Sequence, residues 1–188
     1  MRYLSFLFIV IWSFGVGCGG GQQMLQNNAE SPCPDWFNNP PVDPEYLFSV
    51  ATATSRDLQM AINKAKQQAL LDIAGQMETR VKGLAKQFTE EIGLGEDAQF
   101  NSQMTQAIKT VVSTTINGAK PRFQNTSKEG VLWRACVLME LPMGELKAQF
   151  MQNLKNREIL RQKLRASEAF QELEEEVEKY EQEKRTSE

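Results

Sequence analysis

Hydrophobic and polar positions divide the chain into distinct regimes. A nearly continuous apolar run covers 3–14, interrupted only by Ser5 and Ser13. It is too short to cross a bilayer, which takes roughly 20 apolar residues. A polar, glycine-rich stretch follows. Over 31–44 the density of proline (Pro32, Pro34, Pro40, Pro41 and Pro44) excludes helix and central strand. Residues 46–54 are rich in aromatic and β-branched side chains and predict a first strand. From 57 to about 92 the period changes. Leu58, Ala61, Ile62, Ala65, Ala69, Ile73, Met77 and Val81 recur at steps of three and four behind an Asp57 cap, one stripe of a helix. Ala61, Ala65 and Ala69 are small enough to let that helix lie close against a sheet. Gly93 and Gly95 end it.

The pattern continues less strongly. Phe100, Met104, Ile108, Val111 and Val112 keep a helical period over 96–117, and Asn117-Gly118 is a helix stop. Its β-branched end, 110–116, fits a strand as well. Strands are predicted over 121–126 and 131–141, with turn chemistry in Ser127-Lys128-Glu129-Gly130 between them. The second is apolar nearly throughout, as in a strand central to its sheet. Residues 144–184 read as one long helix, with Leu146, Phe150 and Leu154 early. Phe170, Leu173, Val177 and Tyr180 form a short heptad-like coiled-coil seam late. The expected fold class is α+β: a small antiparallel sheet of about three strands packed on one long helix and a second helix, then a long charged C-terminal helix.

Charge adds a feature to that last helix. Lys147, Lys155, Arg157, Arg161, Lys163 and Arg165 make its first half basic. Glu168, Glu172, Glu174, Glu175, Glu176, Glu178, Glu181 and Glu183 make its second half acidic. The helix dipole prefers the opposite order, by about 0.3–1 kcal/mol per terminal charge. Two copies running antiparallel would set basic against acidic. The tail therefore either mediates self-association or docking, or stands as a solvated charged helix.

Composition narrows the chemistry. The net charge of −3 argues against a nucleic-acid partner. With no histidine, the chain lacks the commonest general base and metal ligand. No Ser-His-Asp or Cys-His arrangement is available, and no Gly-x-Gly-x-x-Gly follows a strand. Carboxylate runs such as Glu90-Glu91 read as solvated faces. No enzyme activity, catalytic residue, cofactor or metal site is expected.

The first eighteen residues have the plan of an export signal: Arg2, the apolar run, then small Val16-Gly17 before Cys18. They resemble a bacterial lipoprotein signal (lipobox), whose cysteine is acylated and becomes the first residue of the mature chain. The resemblance implies a signal peptide over 1–17, lipid on Cys18 and membrane attachment through it. Gly19 is not the aspartate that resembles an inner-membrane retention signal, which favours the cell outer membrane. Gly19-Gly20-Gly21 opens a flexible tether over 18–32. A domain over 33–142 and a helical tail over 143–188 follow.

Two further cysteines remain. In an oxidising periplasm Cys33 and Cys136 either pair or stay free, Cys136 then being a small apolar strand residue. Pairing would close a loop of roughly 100 residues, worth up to ~4.7 kcal/mol in the chain-entropy model. Trp36 and Phe37, inside the proline-rich stretch, either plug the edge of the core or form a binding spot. In the second case a groove near Trp36 and Trp133 would take a small ligand or glycan.

Pro34-x-Trp36, the strand Tyr46-Leu47-Phe48-Ser49-Val50-Ala51, the Ala61/Ala65/Ala69 helix, Gly118 and the late strand 131–139 occur in this order. This middle part resembles the LPP-twenty lipoprotein family of small bacterial outer-membrane lipoproteins. The resemblance covers about 34–140 and leaves out the tail. It implies a helix packed on a small antiparallel sheet and no enzyme activity. One branch of the family is associated with outer-membrane parts of the flagellum. The expected function is structural or interactive, at the outer membrane. The expected partners are copies of the chain, peptidoglycan or envelope proteins. A tethered ligand- or glycan-binding module is the alternative.

Overall fold

The computed structural model describes residues 32–187. The signal stretch 1–17, Cys18 and the tether up to residue 31 lie outside the described residues.

The most apolar strand takes the central place. β3 (Leu132–Pro142) pairs antiparallel with β1 (Tyr46–Ser55) on one side and β2 (Lys120–Glu129) on the other. A strand covered on both faces reads as a continuous apolar run, and β3 is buried without a break from Ala135 to Met139. β2, polar and exposed along almost its whole length, is an edge. The hairpin joining them turns at Gly130, whose φ of 60° suits a residue without a Cβ. Arg134 clamps both carboxylate oxygens of Glu129 at 2.5 and 2.9 Å across the same end.

α2 (Leu58–Ile92) covers one face of this sheet. Asp57 caps it by accepting the Met60 N–H at 2.7 Å, and Gly93 ends it at φ 67°. Leu47 and Ala51 of β1, with Ala135, Val137, Met139 and Leu141 of β3, share one core with the Ala61, Ala65 and Ala69 stripe. Those three alanines are fully buried, so little separates helix from sheet. The stripe continues through Ile73, Met77, Val81 and Ala85 at steps of four. Each step turns about 40° round a helix of 3.6 residues per turn. The buried side thus rotates from the sheet toward the helices that follow.

α3 (Ala98–Thr115) starts on Asp97, whose carboxylate accepts the Phe100 N–H at 2.9 Å. Its β-branched end stays helical rather than forming a strand. Val111 is buried, while the Thr110 and Thr114 hydroxyls donate to the carbonyls of Gln106 and Thr110, each at 2.9 Å. A 3-10 turn, Ile116–Gly118, then leads into β2.

The α+β class is the one expected, with two local differences. The proline-rich stretch holds a one-turn helix, α1 (Asp35–Asn38), which fits between Pro34 and Pro40. The tail is not one helix over 144–184. It is α4 (Met143–Lys155), α5 (Glu158–Leu164) and a long α6 (Glu168–Ser187). The chain breaks at Asn156-Arg157 and again before Ser167, whose hydroxyl accepts the Phe170 N–H at 3.2 Å as a cap.

Those breaks let α6 run back along α4. Lys147 reaches Glu176 at 2.6 Å, Lys184 reaches Glu145 at 3.3 Å, and Lys155 pairs with Glu174. The basic half and the acidic half therefore meet inside one chain. Exposed pairs of this kind are worth about 0–1 kcal/mol each. The larger share comes from the seam: Phe170, Leu173 and Val177 are buried, and Phe170 meets Phe88 of α2 edge-on at 5.9 Å.

Three contacts fasten this tail. The Tyr180 ring packs against Gly144, where an added Cβ would stand 2.2 Å from it. Glu91 of α2 accepts the Ser167 hydroxyl at 2.6 Å and the Ala169 N–H at 3.2 Å, which hold its carboxyl below the ordinary range. Lys163 of α5 pairs with Asp97, and that hydrogen bond, with the Phe100 N–H, holds Asp97 low as well. Both carboxyls titrate lower in the folded chain. Their contribution is complete above the ordinary values of 4.5 and 3.8 and fades as pH falls through the lowered ones. Hydrogen exchange read along the chain as pH is stepped down from these ordinary values should therefore show α5 and α6 opening before β3 and the first half of α2 lose protection. Gly144→Leu should produce the same selective opening at neutral pH, with a loss of about 1–3 kcal/mol. Uniform protection in both experiments would contradict these fastenings.

Candidate functional site

Alternate residues of a strand point to opposite faces. Ala135, Val137, Met139 and Leu141 face α2, so Cys136, Leu138 and Glu140 point the other way. Their cross-strand partners, Thr52, Val50 and Phe48 on β1 and Asn125 and Phe123 on β2, point with them. This outer face carries most of the residues singled out from the sequence.

Cys33 is joined to Cys136 here, with Cα atoms 5.8 Å apart across a sequence separation of 103. The disulfide ties the start of the described chain to the central strand. α1 then lies over the outer face. Trp36 meets Phe123 at 5.8 Å and Phe37 at 6.3 Å between ring centroids. Phe37 and Trp36 are half-buried, so they cover the edge of the sheet while leaving a flank to solvent.

Arg122 extends this shelf. A register shift between Pro121 and Phe123 gives it an extra place on β2. Its guanidinium lies 5.5 Å from the Phe48 ring and 5.7 Å from the Phe123 ring, and pairs with Glu140 at 2.9 Å. Phe48 in turn stacks on Tyr46 at 5.9 Å. Trp36, Phe123, Arg122, Phe48 and Tyr46 form a continuous aromatic and cationic line. The alternation of Tyr46 and Phe48 was visible in the sequence; the bulge that delivers Arg122 was not.

Trp133 is not part of it. It alternates with Ala135 and Val137, packs against the α2-side core, and carries Lys128 5.6 Å above its ring. The sheet separates it from Trp36. No single groove holds both tryptophans, because Trp133 and Cys136 differ by an odd number of residues in one strand.

A cleft of about 540 Å³ opens elsewhere, between the segment before β1, the middle of α2 and the start of α4. Its lining includes Tyr46, Leu47, Leu84 and Met143, and the charged residues Asp43, Arg80 and Lys147. Lys147 is already paired with Glu176. Arg80 has no carboxylate partner among the described residues. Among the described residues, no group of three or more Cys, Asp or Glu is placed to hold a metal ion. Nor is any helix there long and apolar enough to cross a membrane.

A family model described as LPP20 lipoprotein matches residues 34–133, from the start of α1 into β3. The chain belongs to the LPP20 lipoprotein family. The match covers more than half of its length, and it places the chain among lipoproteins of the cell envelope. It takes in Trp36, the alanine stripe of α2 and the outer-face residues of β1 and β2. It stops short of Cys136 and the three helices of the tail. No curated protein matches the chain.

In this LPP20 lipoprotein the disulfide holds α1 on the sheet. Replacing Cys33 and Cys136 together by alanine should lower global stability by about 2–5 kcal/mol in a denaturant titration. It should also shift Trp36 emission to longer wavelength as α1 lifts from Phe123. An unchanged midpoint would show that α1 and the sheet hold together without the covalent link.

Proposed function

We propose that this LPP20 lipoprotein is anchored in the outer membrane through lipid on Cys18 and acts by contact rather than by catalysis. The family assignment carries the proposal. It is supported by the order of parts along the chain: a glycine-rich, polar stretch after Cys18 leads to a domain whose first described cysteine is covalently fixed. Fifteen residues, Cys18 to Cys33, reach at most about 50 Å when extended. The domain would thus work close to the membrane, against envelope proteins or peptidoglycan. Attachment to a flagellar or other envelope assembly is the finer form of the proposal, from the branch of the family linked to such structures.

The outer face suits such contacts. Aromatic and arginine side chains dominate interaction surfaces because they offer large contact area with one polar end. The tail supports the role differently from the sequence expectation. Its charge halves and apolar seam are engaged with the chain's own α4 and α2, which weakens the case for self-association through that helix. A second reading, a tethered ligand-binding module, now rests on the cleft at Arg80 rather than on a groove shared by Trp36 and Trp133.

The test is a crosslinked pull-down from intact cells with wild-type protein and Cys18→Ser, alongside palmitate labelling. The wild type should be labelled, sediment with the outer membrane and capture envelope partners. Cys18→Ser should be unlabelled and lose those partners. Soluble, unlabelled wild-type protein would overturn the anchor and with it the proposal.

A further inference from the structure

The two edges of the sheet are unlike. β2 carries Lys120, Pro121, the irregularity at Arg122, and Lys128. Charge, proline and bulges all block addition of another strand. β1 has none of these. Its ten residues, Tyr46–Ser55, include no charged residue, proline or glycine, and their register with β3 is unbroken.

The ladder fixes which β1 amides face outward. Met143 donates its N–H to the Glu45 carbonyl at 2.8 Å, continuing the rung at Tyr46 and Pro142. In an antiparallel pair, alternate residues exchange both bonds with their partner, and those between point both groups away. Glu45 bonds inward, and so do Leu47, Ser49, Ala51 and Ala53. Tyr46, Phe48, Val50, Thr52 and Thr54 face out. Two contacts agree: the Tyr46 N–H turns back to Asp43 O at 3.2 Å, and Gln76 Nε2 donates to Phe48 O at 2.9 Å. Beyond them, nothing among the described residues meets the outward backbone groups of Val50, Thr52 and Thr54.

We propose that this edge pairs with β1 of a second copy, antiparallel, about a two-fold axis through Thr52. That register sets Thr52 against its own copy and Val50 against the partner's Thr54. All three are β-branched, the type that packs best across strands. Every outward amide from Val50 to Thr54 gains a partner, and the Gln76 bond to Phe48 is left in place. The ends are complementary in charge. Phe48 falls opposite the partner's Arg56, beside Asp72, which accepts from Gln76 at 2.9 Å. Arg56 is exposed and has no ion-pair partner among the described residues. A neutral centre flanked by opposite charges is self-complementary under two-fold symmetry. This favours a second copy over the chain's own 19–31 segment or a foreign peptide. Pairing would join two sheets into one continuous sheet and bring the two outer faces side by side.

The full-length protein in detergent tests this. Its mass by light scattering should be that of a dimer, and a photo-crosslinker at position 52 should join two copies within β1. Thr52→Pro, which removes an N–H that β3 does not use, should give a monomer that keeps its disulfide and helix content. Should that variant fail to fold, Arg56→Glu at the exposed end provides the second arm, raising the dimer dissociation constant about tenfold. Amides of Val50, Thr52 and Thr54 should gain hydrogen-exchange protection with protein concentration, while those of α2 do not. A monomeric wild type would overturn the proposal. So would a dimer indifferent to the folded variants, or crosslinks from position 52 that land on residues 19–31 or on another protein.

Discussion

The contact between the alanine stripe of α2 and the faces of β1 and β3 governs the rest of the structure. Ala61, Ala65 and Ala69 bring helix and sheet together with no large side chain between them. The helix is much longer than the sheet is tall. At 1.5 Å per residue its 35 residues run about 52 Å, whereas a ten-residue strand spans about 33 Å. Its second half therefore overhangs, still carrying a buried stripe: Met77, Val81, Ala85 and Phe88. An exposed row of that kind would be costly, at about 1.5–3 kcal/mol for each large side chain left in water. α3, α4 and α6 cover it, and Phe88 sits between Phe150 at 6.3 Å and Phe170 at 5.9 Å. The tail completes a second core that the length of α2 creates.

That dependence explains which parts of the fold could be read from the chain. Helix period and strand composition placed α2, α3 and all three strands within a few residues, because burial imposes those periods locally. The tail's apolar positions and charge halves were equally visible. What they could not convey was the identity of the opposing surface. Basic and acidic segments attract in the same way within one chain or between two, and the difference lies in whether a turn separates them. Asn156 and Ser167 mark those turns, and both residue types favour helix ends. Against an otherwise unbroken helical pattern each is a weak signal, strengthened only by Glu91 reaching Ser167 from another helix.

The candidate site was legible in its residues and illegible in its grouping. Cys33, Cys136 and Trp36 do converge on one face. Trp133 does not, although strand parity already held that information: three residues separate it from Cys136, and an odd step crosses the sheet. Arg122 escaped notice because its position depends on an irregularity between Pro121 and Phe123. A bulge is specified by how two strands pair, not by the sequence of either alone.

If the chain is anchored through Cys18 as proposed, the disulfide has a mechanical consequence. A load passing from Cys18 along the tether would arrive at Cys33 and cross directly to Cys136, near the middle of the central strand. β3 is bonded to neighbours on both edges, so its displacement along its own axis would have to break both ladders together rather than one rung at a time. Without the link, the same load would peel α1, a single turn with no buried residue, and then reach β1, an edge strand paired on one side. The covalent connection thus shifts force from a one-turn helix and an edge strand to the central strand. That arrangement would serve a domain tethered to a membrane and in contact with other parts of the envelope.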